Sequence, residues 1–148
     1  MIKSEFCNMS DVHDQETRSY NMSQIKGKDT KPELIVRRFL FANGFRYRIH
    51  DKKLPWKPDI VMRKYKTVIF VQGCFWHGHS NCKYFKLPKT RTNWWKSKIE
   101  NTINRDSENI LVLKKEGWKV ICIFECSLTS ANRTKTLSRV VKELNKNN

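Results

Sequence analysis

The 148-residue sequence contains no apolar run approaching the ~20 residues needed to cross a bilayer. Its opening, MIKSEFCNMSDVHDQ, has nothing like the apolar core of a signal peptide. Both absences argue against a membrane-spanning or exported chain and predict an intracellular one, whose five cysteines stay reduced. In that setting clustered cysteines favour a metal over disulfides. Acidic residues are scarce as well. Fourteen Asp and Glu stand against thirty Lys and Arg, giving a net charge of +16 and a pI near 9.9. That imbalance is the electrostatic footprint of a nucleic-acid binder. No internal repeat and no low-complexity linker is present, and the length suits one hydrophobic core but not two.

What is present reads as an α/β domain. Residues 1–29 are polar and without a sustained period, which predicts an arm carrying at most one short helix. Residues 30–148 form the domain proper. Thr30-Lys31-Pro32-Glu33 predicts a capped helix start, with Thr30 as N-cap and Glu33 at the capping-box position. Ile35, Phe39 and Leu40 give that helix its stripe, and Gly44 ends it. Phe45–Ile49 alternates apolar and basic residues as a half-buried strand does, and Asp59–Met62 predicts a second strand. Thr67–Val71 and Lys119–Phe124 read as buried strands. Helices are expected over Asn93–Glu116, stopped by Gly117, and over Arg133–Leu144. This order indicates a mixed sheet flanked by helices.

Cys74, His79 and Cys82 lie within nine residues, and Cys126 at the end of the last strand can complete a Cys3His set. Three thiolates and an imidazole suit a closed, structural zinc tetrahedron with no open catalytic position. Cys122 competes for the fourth place but reads as a buried mid-strand thiol, and Cys7 as incidental. His77 is left over between Trp76 and Gly78, either a surface histidine or a catalytic one. In the long helix Ile99, Ile103, Ile110 and Leu113 mark the apolar stripe, and Asp106 falls in step with it. A carboxylate on that face needs a partner, either a nearby Arg or Lys or the imidazole of His77. Asp59, in Lys57-Pro58-Asp59, is either a turn-former or a carboxylate that binds Mg²⁺ at the head of a strand.

Together these stretches resemble the very-short-patch-repair (Vsr-type) DNA mismatch endonucleases. The resemblance rests on DVHDQETRSYNM, KGKDTKPE, LPWKPDIV, VIFVQGCFWHGH, KTRTNWW, INRD and GWKVICIFEC, from Asp11 to about Leu128. It implies a PD-(D/E)xK-like nuclease that nicks one strand 5′ of the thymine in T:G mismatches. Such mismatches arise where 5-methylcytosine deaminates, so the partner is duplex DNA and the functional link is to a cytosine-5 methyltransferase. A monomer in the bacterial cytoplasm, associated with the nucleoid, is expected.

Residue by residue, the resemblance makes Asp59 the Mg²⁺ ligand, joined by the backbone carbonyl of Val71, where some relatives have Thr. His77 becomes the catalytic histidine, Asp106 its partner and Glu33 an active-site acid. Cys74, His79, Cys82 and Cys126 become the structural zinc ligands. Phe75 and Trp76 become major-groove intercalators, Met22 enters from the minor groove, and Trp95 belongs to the DNA-facing surface, although helix-core packing remains open for Trp94 and Trp95. Lys89 and Arg91 are expected to grip phosphates. The acid-x-Lys of the wider superfamily is replaced by Val71-Gln72-Gly73, so proton transfer passes to His77. Two other readings are a zinc-stiffened DNA-binding module without catalysis and a restriction nuclease of the same fold.

Overall fold

The β-branched and aromatic run Thr67–Gln72 forms the middle strand of a three-stranded sheet and sets the position of everything around it. The computed structural model describes residues 14–146. In it the elements run α1 (Gln15–Ser23), α2 (Lys31–Ala42), β1 (Ile60–Met62), β2 (Thr67–Gln72), α3 (Thr92–Lys115), β3 (Lys119–Phe124) and α4 (Arg133–Asn145). β1 lies antiparallel to β2, with Ile60 opposite Ile69. β3 lies parallel to β2, with Val71 opposite Ile123 and Gln72 opposite Phe124. A parallel neighbour requires a long crossover, and α3 supplies it.

Alternation along the strands divides the core. Ile60, Met62, Ile69 and Ile123 pack with Val36 and Leu40 of α2 and with Leu137, Val140 and Leu144 of α4. Val61 and Val68 join Leu54, Leu113 of α3 and Trp118 in a second cluster. The result is a mixed α/β domain with α2 and α4 on one cluster and α3 on the other. Each fully buried aliphatic side chain contributes roughly 1.5–3 kcal/mol. Among the described residues no helix is long and apolar enough to cross a membrane.

Helix ends follow the local sequence. The Thr30 hydroxyl accepts the Glu33 N–H, and Pro32 occupies the first turn of α2. At the end of α3, Gly117 takes φ +82°, its N–H donates to the Lys114 carbonyl, and the Trp118 N–H donates to the Leu113 carbonyl. This paired arrangement requires a left-handed residue, and it folds Trp118 back onto Leu113 in the core.

Three expectations change. Phe45–Ile49 is not a strand. Arg48 alone bridges Val61, because His50 turns to φ +52° and ends the extended run. β1 begins at Ile60, leaving Asp59 just ahead of it. Ile103 is 38% exposed, because this part of α3 lies under the turn after β2 and not under the sheet. Asn109, which carried no signal in the apolar pattern, is buried instead.

A Cβ added at Gly117 would meet nothing closer than Lys66 Cε at 3.9 Å. Gly117→Ala should therefore cost only the left-handed backbone, about 1–2 kcal/mol, read as a lower urea midpoint at unchanged slope. A loss several times larger would mean that the Trp118–Leu113 closure itself has been broken.

Candidate active site and metal cluster

The ends of β2 and β3 and the start of β1 share one edge of the sheet, and a cavity of about 870 Å³ opens there. Glu33, Asp59, Asp106, Glu125 and His77 line it, together with Lys26, Lys57 and Arg105. A protein of net charge +16 thus gathers four of its fourteen acids at one place.

Asp59 Oδ2 accepts the Val71 N–H at 2.7 Å, which fixes the carboxylate across the gap between β1 and β2. Burial pushes its pKa up to about 6, and the charge of Glu33 acts in the same direction. Glu33, only 3% exposed, accepts the Asp29 N–H at 2.9 Å, the Thr30 hydroxyl at 3.0 Å and the Arg37 guanidinium at 2.8 Å. Both its oxygens are therefore engaged within the protein. Arg37 also grips Asp29 at 2.6 Å, and that hydrogen bond holds the Asp29 carboxyl below its ordinary range. Asp29 is the last acid before α2, so Arg37 ties the preceding segment to the helix.

His77 Nδ1 lies 2.5 Å from Asp106 Oδ2. A carboxylate accepts, so Nδ1 is the ring nitrogen that carries the hydrogen toward Asp106, and in the neutral imidazole Nε2 then keeps the lone pair. The Arg or Lys partner considered for Asp106 is not the one the structure provides. The turn that carries His77 is closed by its own N–H to Gly73 O at 3.2 Å and by His79 N–H to Cys74 O at 2.9 Å. Gly78 seats this turn on α3. It takes φ +57°, and a Cβ there would lie 2.6 Å from Ile103 Cδ1 and 2.8 Å from Ile99 Cγ2.

Ligand atoms of Cys74, His79, Cys82 and Cys126 lie within 4.8 Å of one another. Metal–sulfur bonds of about 2.3 Å place tetrahedral ligands roughly 3.8 Å apart, so the four can close on one ion with small adjustments. His79 Nδ1 is 3.4 Å from Cys126 Sγ, and the imidazole stacks on Phe124 at 3.9 Å and 4°. Burial raises the Cys74 thiol to about 12 and also raises Cys126. The Cys82 thiol is lowered, and a cation held between the four would favour thiolates throughout. Cys122 lies outside this group, and Cys7 lies outside the described residues.

Phe75 and Trp76 are half-buried and line the cavity. Phe75 packs edge-on to Trp76 at 5.1 Å and to Trp95 at 5.3 Å, and Trp94 packs edge-on to Trp95 at 4.8 Å. Trp94 itself is exposed, so neither it nor Trp95 sits in the main core. Met22 is exposed on α1, away from the cavity lining. Lys89 and Arg91 are exposed before α3, also away from it, and the Arg91 guanidinium stacks 4.9 Å over Trp94.

The sequence reading missed Arg37, Asn109 and Glu125. Glu125 lines the cavity and accepts the Cys74 N–H at 3.0 Å. Its one signal was its place between β3 and the ligand Cys126. Arg37 stands one helical turn after Glu33, a spacing that pairs opposite charges. Asn109 stands three residues after Asp106 on α3.

Comparison with known proteins places this arrangement. The family model described as "DNA mismatch endonuclease Vsr" matches residues 10–83. The chain belongs to the Vsr family of DNA endonucleases. It is 47% identical over 137 residues to the type II nicking enzyme V.NmeAIP of Neisseria meningitidis serogroup A, covering 92% of this chain and 97% of the relative. It is 44% identical to the DNA mismatch endonuclease Vsr of Escherichia coli K12, covering 81% and 76%. Among solved structures it resembles the catalytic domain of the homing endonuclease I-Bth0305I, with a TM-score of 0.53 and 22% identity, covering 77% of this chain and 93% of that one. That last likeness concerns the fold alone.

For this Vsr-family chain the raised Asp59 pKa carries a sign. The folded value of about 6 exceeds the ordinary 3.8, so folding favours the protonated acid. The cost of ionising it grows as pH rises from 3.8 to about 6 and is complete above that. Asp59→Asn keeps an acceptor for the Val71 N–H and removes the charge. Without added divalent cation it should raise stability by roughly 1–3 kcal/mol at pH 7 and leave it unchanged near pH 3.5. Equal unfolding midpoints for the two proteins at both pH values would contradict the burial of that carboxylate.

Proposed function

We propose that this endonuclease nicks one strand of duplex DNA on the 5′ side of the thymine in a T:G mismatch, the lesion left when 5-methylcytosine deaminates. The observation that carries the reading is the meeting of Asp59 and the His77–Asp106 pair at one cavity, beside an aromatic cluster. A matched-site restriction nuclease has no need of such a cluster. A T:G wobble is easier to unstack than a Watson–Crick pair, and apolar wedges exploit that difference.

Asp59 and the Val71 carbonyl would hold Mg²⁺. The fit is supported by the Asp59 carboxylate, which burial makes costly to ionise until a cation arrives. Bound there, the ion supplies charge that stabilises the phosphate oxygens as they become more negative. The chain supplies the rest. Asp106 holds the Nδ1–H tautomer of His77, and Nε2 takes a proton from the attacking water. Glu33, fixed by Arg37, gives the cavity a second negative charge beside Asp59 that favours a divalent cation. The missing superfamily lysine is accounted for in this way, and the domain is read as PD-(D/E)xK-like.

The Cys74, His79, Cys82 and Cys126 cluster is read as a structural zinc site, since soft thiolate and imidazole donors suit that ion. It stiffens the turn that carries Phe75, Trp76 and His77. Of the arm expected over residues 1–29, residues 1–13 lie outside the described residues, and the part from residue 14 onward is read as lying on the DNA with Met22 in the minor groove. Trp95 backs the wedge, and Lys89 and Arg91 hold phosphates. A cytoplasmic monomer working on sites of a cytosine-5 methyltransferase completes the reading.

A nicking assay on T:G and matched duplexes, with Mg²⁺ or EDTA, tests it. Wild type should nick only the mismatched strand and only with Mg²⁺, and Asp59→Ala and His77→Ala should lose at least two orders of magnitude in rate. Equal cutting of matched duplex refutes the mismatch specificity, and binding without nicking favours a DNA-binding module. Separately, purified wild type should carry about one zinc per chain, and Cys82→Ala should lose both the zinc and several degrees of melting temperature. Full zinc retention by that variant would remove Cys82 from the ligand set.

A further inference from the structure

Trp56 and Lys57 adopt φ +60° and +47° in succession. Side chains disfavour the left-handed region, which glycine enters freely. Lys57 also precedes Pro58, a position that ordinarily keeps the chain extended. Buried Leu54 and Pro58 anchor the turn on either side, so the conformation is imposed by its surroundings. A bulky aromatic here brings no aromatic or cation–π contact in return among the described residues. Trp56 is 39% exposed. Of the five tryptophans, Trp76, Trp94 and Trp95 pack on one another's cluster and Trp118 carries Lys66 on its ring. Among the described residues Trp56 has no such ring partner. Yet it lines the cavity, as does Lys57, which is separated from Asp59 by Pro58 alone.

We propose that Trp56 and Lys57 form a second DNA contact, on the β1 side of the cavity. The indole stacks on a nucleobase exposed where the duplex is opened, and the Lys57 ammonium pairs with a backbone phosphate beside it. Phe75 and Trp76 belong to the turn after β2, so the two contacts reach the cavity from different segments. An unpartnered aromatic face next to a cation is the combination that binds unstacked nucleic acid. The inference rests on the nuclease reading for its substrate, and the test separates the two.

Binding of a labelled T:G duplex is measured in EDTA over a salt series, alongside thermal melting. Glycine relieves the backbone, so Trp56→Gly should melt at or above the wild-type temperature while binding roughly tenfold more weakly. Trp56→Phe should bind within about threefold of wild type, because any aromatic face can stack. Lys57→Gln should lower the slope of log affinity against log salt by about one. Where nicking is measured, the Trp56→Gly loss should fall on KM rather than kcat. Wild-type affinity in Trp56→Gly overturns the contact, and so does weaker binding that comes with a lower melting temperature. A wild type that binds but never nicks sinks the nuclease reading and leaves these affinities to decide this one.

Discussion

The parallel pairing of β2 with β3 is the constraint on which the site depends. Gln72 lies opposite Phe124, so the residues just beyond them, Gly73-Cys74 and Glu125-Cys126, leave the sheet side by side. Two candidate metal donors that are far apart in sequence become neighbours through that register. A slip of one residue would send every side chain of β3 to the other face. It would bury the wrong residues against α2 and α4 and separate Cys126 from Cys74. Glu125 reinforces the register by accepting the Cys74 N–H across a sequence separation of 51 residues.

A second constraint sits on top of the first. The turn after β2 has to bring His77 to Asp106, and Asp106 is on α3, which also packs against the sheet through Leu113. Gly78 removes the one Cβ that would hold the turn off the helix at Ile99 and Ile103. The exposure of Ile103 and the presence of an acid on this face then have one explanation. This stretch of α3 is a platform for the turn, not a wall of the core. Below it the same helix returns to ordinary packing at Leu113.

Much of this was legible because local rules and long-range packing agreed. The α2 cap, the buried strand β2, the α3 stop at Gly117 and the Cys and His cluster all follow from spacing. Lys119–Phe124 is a strand but not a buried one: it lies at the sheet edge with Ile123 alone buried. Asp106 was visible as a charge in step with an apolar stripe, but its partner was not, because only the turn's closure selects His77 over an arginine. Phe45–Ile49 failed as a strand because alternation describes side chains and says nothing of His50 turning left-handed. Glu125 and Arg37 were invisible for another reason. Their importance lies in whose N–H or carboxylate they meet, and sequence does not show which segments adjoin.

The distribution of charge gives the fold its chemical logic. An excess of cations draws a polyanion to any face of the molecule, and screening by salt weakens that attraction everywhere alike. It cannot say where a bond is to be cut. The small acidic set inside the basic surface breaks that uniformity, and there burial first, then the charge of Glu33, raises the Asp59 pKa. Arg37 prevents that pair from becoming mutual repulsion alone, since it compensates Glu33 from behind, with its guanidinium buried at 6% exposure. The orphaned Nε of Arg37 is a mark of that priority: the guanidinium is placed to serve two carboxylates before its own hydrogen bonds are complete. The cavity is thereby left with one acid fully committed to the scaffold and another, Asp59, with one oxygen tied to β2. Asp59, so tied, stands beside the His77–Asp106 pair that lines the same cavity.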